Sequence, residues 1–145
     1  MNLESILEMW KKDAEIDEVQ LDEASRDSAK LHSKYLDLYS VAKIKQKDLE
    51  LKFKIILRDK FKHYNGKLSQ EEMDKKGWDY DPLGGLTVLK GDLDKWYDAD
   101  EVIQEHQMKM AYNGEVVNTL KEILDNIKWR HQNINRYKYR RDVQI

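Results

Sequence analysis

The chain has 145 residues, a formal net charge of −2 and no cysteine. Charged side chains make up 37% of it and the nine apolar types only 40%, against roughly 25% and 45–50% in ordinary domains. One proline and six glycines are too few for a sandwich or barrel, which needs turn signals about every 8–12 residues, and the missing thiols exclude disulfides, thiol nucleophiles and thiolate metal sites.

No apolar run reaches the length of about 18 residues that a membrane span requires. The first residues, MNLESILEMWKKD, carry acids and no long apolar stretch, unlike a signal peptide. The expectation is a soluble, intracellular, all-α protein forming a single helical, oligomerising domain over residues 1–145. A mean hydropathy of −0.88 leaves few residues for burial. Long helices that bury narrow stripes against other subunits therefore fit the composition better than a large private core.

In chain order, residues 1–12 read as a short amphipathic helix, with Leu3, Ile6, Leu7 and Trp10 at helical spacing. A break near residues 13–17 follows, with Asp17 as the cap of the next element. From there to about Tyr64 nothing interrupts a helix. Ala24, Ser28, Leu31, Tyr35, Leu38, Ala42, Leu49, Phe53 and Ile56 keep 3–4 spacing apart from a missing step near Lys45, which predicts a coiled-coil-like seam. Asn65 and Gly66 predict its stop. Residues 65–92 form an irregular loop holding Pro82 and five glycines; within it, residues 86–89 (LTVL) suit a short strand or an apolar anchor. A second long helix is predicted from Asp98 or Asp100 as cap to about Arg140. Its stripe of Met110, Val117, Leu120, Leu124, Ile127 and Ile134 is assigned to oligomerisation, with His106, Asn113 and His131 at polar positions and Val116, Ile123, Arg130 and Tyr137 beside it.

Charge is segregated along the chain. Residues 4–27 hold nine acids and three bases, residues 43–63 eight bases and three acids, residues 92–105 six acids and one base, and residues 128–141 six bases and no acid. Such blocks can steer a polyanion to part of a surface whatever the total charge. In the first basic block Lys54, Arg58 and Lys62 are four apart and share a helix face, with Lys60, Phe61 and Tyr64 among them. Cations with interleaved aromatic rings suit unpaired nucleic acid, the cations for phosphates and the rings for stacking. The second block, with Lys128, Arg130, Arg136, Lys138, Arg140 and Arg141 around Trp129, Tyr137 and Tyr139, is a possible additional DNA-binding segment, although cations at a helix C-terminus also answer the helix dipole.

Catalytic patterns are absent. GGLTVLKGD reverses the Gly–Lys order of a phosphate loop, and neither HExxH nor a Glu three residues before a His occurs. His106 and His131 could in principle share a metal between subunits, but polar residues that set register account for them better. Neither an enzyme nor a cofactor or metal is predicted.

The stretches MNLESILEMWKKDAEID, SKYLDLYS and LRDKFKHYNG, in that order, resemble the UvsY recombination mediator family of T-even-type phages, strongly over residues 1–66, loosely over 67–100, and again in NGEVVNTLKEILDNIKWR. The resemblance implies a helical subunit assembled into a closed ring of about six or seven copies, without catalysis, in the cytoplasm of an infected bacterial cell. It implies binding of single-stranded DNA, loosening of the phage single-strand-binding protein and loading of a RecA-like recombinase. Two basic positions of the family's DNA-binding motif carry over to Arg58 and Lys60. A joint change of both to Ala is expected to weaken strand binding and leave the oligomer intact. Two residues apart on a helix, however, these side chains cannot face one way. The competing reading from another class is a structural coiled-coil adaptor that ignores nucleic acid.

Overall fold

The computed structural model describes residues 1–16 and 19–143. All regular structure among them is helical: α1 Leu3–Asp13, α2 Leu21–Tyr64, α3 Gln70–Lys76, α4 Leu93–Ala99 and α5 Glu101–Val143. The all-α expectation holds, and α2 and α5 are the two long helices. Asp17, the expected cap, lies outside the described residues. The chain divides into two compact units, Met1–Gln46 with Tyr112–Ile145, and Lys47–Ala111.

In the first unit α1 begins at Asn2, whose side chain accepts a hydrogen bond from the Ser5 N–H at 2.8 Å and satisfies one of the free donors of the first turn. Ile6 is buried, and Leu3, Met9 and Trp10 pack with it against Tyr35, Ala42, Val116, Leu120, Ile123 and Ile127. Leu7 instead faces solvent, because the buried stripe runs through position 9 rather than 7. Trp10 meets the Tyr35 ring edge-on at 5.6 Å. The fully buried Tyr35 donates its hydroxyl to Asp13 at 2.9 Å. Asp13 thus ends α1 as a partly buried acceptor; Lys34 pairs with it at 2.7 Å. Burial opposes its ionisation, but the hydrogen bonds from Lys34 and Tyr35 outweigh burial and hold its carboxyl below the ordinary range.

Here α2 and α5 run antiparallel, and the 3–4 repeat of α2 meets that of α5. The missing step near Lys45 is filled by Gln46: buried Asn113 donates to its side-chain oxygen at 2.8 Å and to the Ala42 carbonyl at 3.0 Å. A polar layer interrupts the apolar seam there, with its donors paired. This packing corrects the oligomerisation assignment for Leu120, Ile127 and Ile134. Leu120, Ile127 and Ile134 are 1%, 2% and 0% exposed, the first two inside the core just described and Ile134 against Leu21 and Ala24. Val117 and Leu124 pack partly on the same core. Leu120, Ile127 and Ile134 are thus used within the chain, while Met110, Val117 and Leu124 keep part of their surface exposed.

In the second unit α2 ends where Gly66 takes φ of +70°, and the Lys67 N–H closes back on the Lys62 carbonyl at 2.8 Å. Two short helices lie in or beside the segment read as irregular. Ser69 caps α3 by accepting from the Glu72 N–H at 3.2 Å, and Gly77 ends that helix with φ of +69°. The Ser-x-x-Glu spacing of Ser69 and Glu72 carries the sequence signal for this helix. Residues 86–89 form no strand, and Leu86 and Leu89 are exposed; the buried anchor is Leu83. At the start of α5, Asp100, not Asp98, is the cap, accepting from the Ile103 N–H at 3.0 Å. Buried His106 donates from Nε2 to the Leu49 carbonyl at 2.8 Å and stacks on Phe53 with rings 5.6 Å apart. Met110 is half-buried in this unit.

Candidate nucleic-acid interface

The last turns of α2 carry the basic block, and a helix with 3.6 residues per turn separates its members by direction. Lys54, Arg58 and Lys62 are exposed, while Lys60 and Tyr64 are buried. The geometric conflict between Arg58 and Lys60 is resolved in this way: one points to solvent and the other inward. The assignment of Lys60 and Tyr64 as strand contacts is therefore corrected.

Lys60 is the centre of an internal clasp. Its ammonium lies 2.9 Å from Asp100, each side chain being 5% exposed, and 3.9 Å from the centroid of the Trp78 ring. Tyr64 donates its hydroxyl to the same Asp100 oxygen at 2.6 Å. Asp100 in turn caps α5, so one carboxylate ties the end of α2 to the start of α5. Burial disfavours the charged Asp100, but hydrogen bonds from Tyr64, the Ile103 N–H and Lys60 outweigh it and lower its pKa; burial, and the bond to Asp100, push the Tyr64 hydroxyl up. Next to the clasp, His63 donates from Nε2 to the Asp79 carbonyl at 2.5 Å and packs on Trp78. Sequence spacing alone does not separate an inward lysine from an outward one.

Outside this clasp, Arg58 reaches Asp59 at 3.2 Å and keeps 64% of its side chain exposed. Lys76 on α3 also reaches Asp59, at 3.2 Å. These bonds overcome the cost of burying Asp59 and lower its pKa, fixing the Arg58 guanidinium without covering it. Lys54 and Lys62 make no ion pair among the described residues. Phe61 is half-exposed beside them.

The C-terminal bases separate in the same manner. Arg130 is buried and donates to the carbonyls of Asp13 and Glu15 at 2.5 and 3.2 Å; its inclusion as a strand contact is corrected because it links α5 to the end of α1. Lys138 pairs with Asp22 at 2.8 Å and is largely covered. Arg141 stands 3.6 Å from Asp142. Lys128, Arg136 and Arg140 are exposed. Among the described residues no group of three or more His, Asp or Glu side chains converges as a metal site would require, and no helix is long and apolar enough to cross a membrane.

The model of the family described as "Recombination, repair and ssDNA binding protein UvsY" matches residues 9–144. The chain belongs to the UvsY family. Crystal structures of the bacteriophage T4 recombination mediator protein UvsY share the fold. One aligns with a TM-score of 0.85 at 24% identity, covering 99% of this chain and 98% of that one. Others give 0.82 at 23% identity over 97% and 99%, and 0.81 at 22% over the full length of both. No match is found among curated proteins. UvsY family membership supports a role in recombination and repair, and the family match runs through the segment 67–100, where the resemblance in sequence is loose.

Proposed function

We propose that this chain is a non-catalytic recombination mediator that binds single-stranded DNA through the outward row Lys54, Arg58 and Lys62. It would act in an infected bacterial cell, helping a RecA-like recombinase onto strands held by the phage single-strand-binding protein. The observation that carries the reading is the division of one basic segment into an inward lysine, which builds the clasp, and an exposed cationic row with Phe61 beside it. Lysine and arginine at i, i+4 intervals lie about 6 Å apart along a helix, so successive phosphates of a flexible strand can each find a cation. Such contacts position a backbone without reading its sequence.

Each subunit offers few contacts, and repetition in a multi-copy assembly turns weak contacts into avidity. A closed ring of about six or seven subunits is the form we favour. With the α5 stripe used internally, the apolar side chains left in water, Val41 and Ile44 on α2 among them, are those an assembly would cover. Counterion release gives the binding a steep salt dependence, with a slope of about −0.7 per phosphate neutralised on a single strand.

The test is a fluorescence titration of a labelled oligothymidylate at several salt concentrations. Joint replacement Arg58→Ala and Lys62→Ala is expected to lower the slope by about 1.4 and leave the light-scattering mass unchanged, Lys76 still pairing with Asp59. An unchanged affinity and slope would leave the coiled-coil adaptor as the better description.

A further inference from the structure

A second basic segment, at the end of α5 in the first unit, is organised differently from the first. Lys128, Gln132, Arg136 and Arg140 follow one another at i, i+4 intervals and all are exposed. Among the described residues, none of the three cations in this row makes an ion pair. Their neighbours Arg130 and Lys138 are consumed by the fold, as already described. A helix that only needed charge at its C-terminus would have no reason to leave three unpaired cations in line.

The row borders two adjoining depressions that share Gln132. One is an open cleft of about 560 Å³ formed with Asn135 and Tyr139, between the side chains of Arg136 and Arg140. The other is a groove of about 570 Å³ between α2 and α5, floored by Ala29, Leu124 and Ile127 and edged by Lys128, His32 and His131. Tyr139 is 71% exposed, so its ring face is open to a stacking partner. The apolar floor would take a flat, weakly polar ring, and Gln132 and the two histidines supply donors and acceptors at its rim. A single carboxylate, Asp125, lines the groove, one turn before Lys128 and about three turns from Arg136. The potential along the row is therefore positive for most of its length.

Cations at intervals of about 6 Å, an aromatic face and an apolar slot for a ring are the requirements of an unpaired polynucleotide, whose bases are free to leave the backbone line. Duplex bases are already stacked and cannot enter such a slot. An acidic peptide would satisfy the cations but leave the floor and Tyr139 without partners. We infer that Lys128, Arg136 and Arg140, with Tyr139 and the Gln132 groove, form a second binding strip for single-stranded nucleic acid on α5. This rests on the reading of the protein as a single-strand binder, and extends it to a surface distinct from the α2 row. The α5 strip by itself offers a strand both phosphate contacts and base contacts.

The test uses the full chain with labelled oligothymidylate, a duplex of equal length and polyglutamate as probes, each titrated over a range of salt. Arg136→Ala with Arg140→Ala is expected to lower the single-strand salt slope by about 1.4. Tyr139→Ala is expected to weaken single-strand binding at least about fivefold and leave duplex binding unchanged. An oligonucleotide carrying 5-iodouridine is expected to crosslink under ultraviolet light to a peptide containing Tyr139. Light scattering is expected to give the parent mass for each variant. The inference is overturned if these α5 variants bind like the parent while Arg58→Ala with Lys62→Ala does not. Equally fatal would be polyglutamate competing as well as the oligonucleotide, or a change of assembly state accounting for the loss. A parent protein that binds no single strand at low salt would remove the α2 reading as well.

Discussion

Replacing Lys60 with Met separates a structural lysine from a strand-binding one. At 2.9 Å the attraction between Lys60 and Asp100 amounts to about 6 kcal/mol at an effective dielectric constant of about 20. Desolvation of the two ions consumes most of that, so the pair as a whole adds little. Removing one partner is another matter, because Asp100 would stay buried with its charge uncompensated, at a cost of about 3–5 kcal/mol. For a chain of this length that corresponds to a fall in thermal midpoint of order 10 °C. Methionine keeps the reach of the side chain over Trp78, so the loss reports charge rather than volume. Adding Asp100→Asn to Lys60→Met removes the orphaned charge and is expected to restore part of the stability. Circular dichroism melts give the midpoints, and oligothymidylate titrations at several salt concentrations give the slope. The slope is expected to be unchanged, since a buried ammonium neutralises no phosphate. A variant as stable as the parent whose slope falls by about 0.7 would show Lys60 to be a phosphate contact and refute the clasp. For the same reason a joint Arg58 and Lys60 replacement mixes two effects and does not measure strand contacts.

Other consequences follow from the packing. Asp13, Asp59 and Asp100 all titrate lower in the folded chain. Their stabilisation is complete above the unfolded carboxylate value of about 3.9 and is lost as pH falls through the folded values; melts below about pH 4 are expected to show the drop, and Asp100→Asn to make it shallower. Ile127→Ala is expected to destabilise the chain by about 2–5 kcal/mol, by the same amount at every protein concentration in denaturant titrations. A loss that disappears at high concentration would return Ile127 to an intersubunit seam. Ser69→Ala removes the α3 cap at a cost of about 1 kcal/mol, to be seen as faster amide exchange confined to residues 70–76.

Period and capping chemistry made most of the helical architecture legible. The 3–4 repeat of α2, interrupted only near Lys45, and the Gly66 stop needed no partner to be recognised, because helical spacing and a left-handed glycine are local properties. Family resemblance was likewise carried by short collinear stretches. What remained hidden was the direction in which each polar residue points. Lys60 and Arg58, or Arg130 and Arg136, are alike in composition and neighbourhood along the chain. Only the packed structure turns the first of each pair inward to an acceptor within the fold and leaves the second in water. The stripe of Leu120, Ile127 and Ile134 told that something must cover it, not that α1 and α2 of the same chain do so. Sequence thus determined α1 and the two long helices, their periods and the segregation of charge. Tertiary structure decided which stripes and cations remained for a partner, since burial depends on residues distant in sequence that meet only when the chain folds.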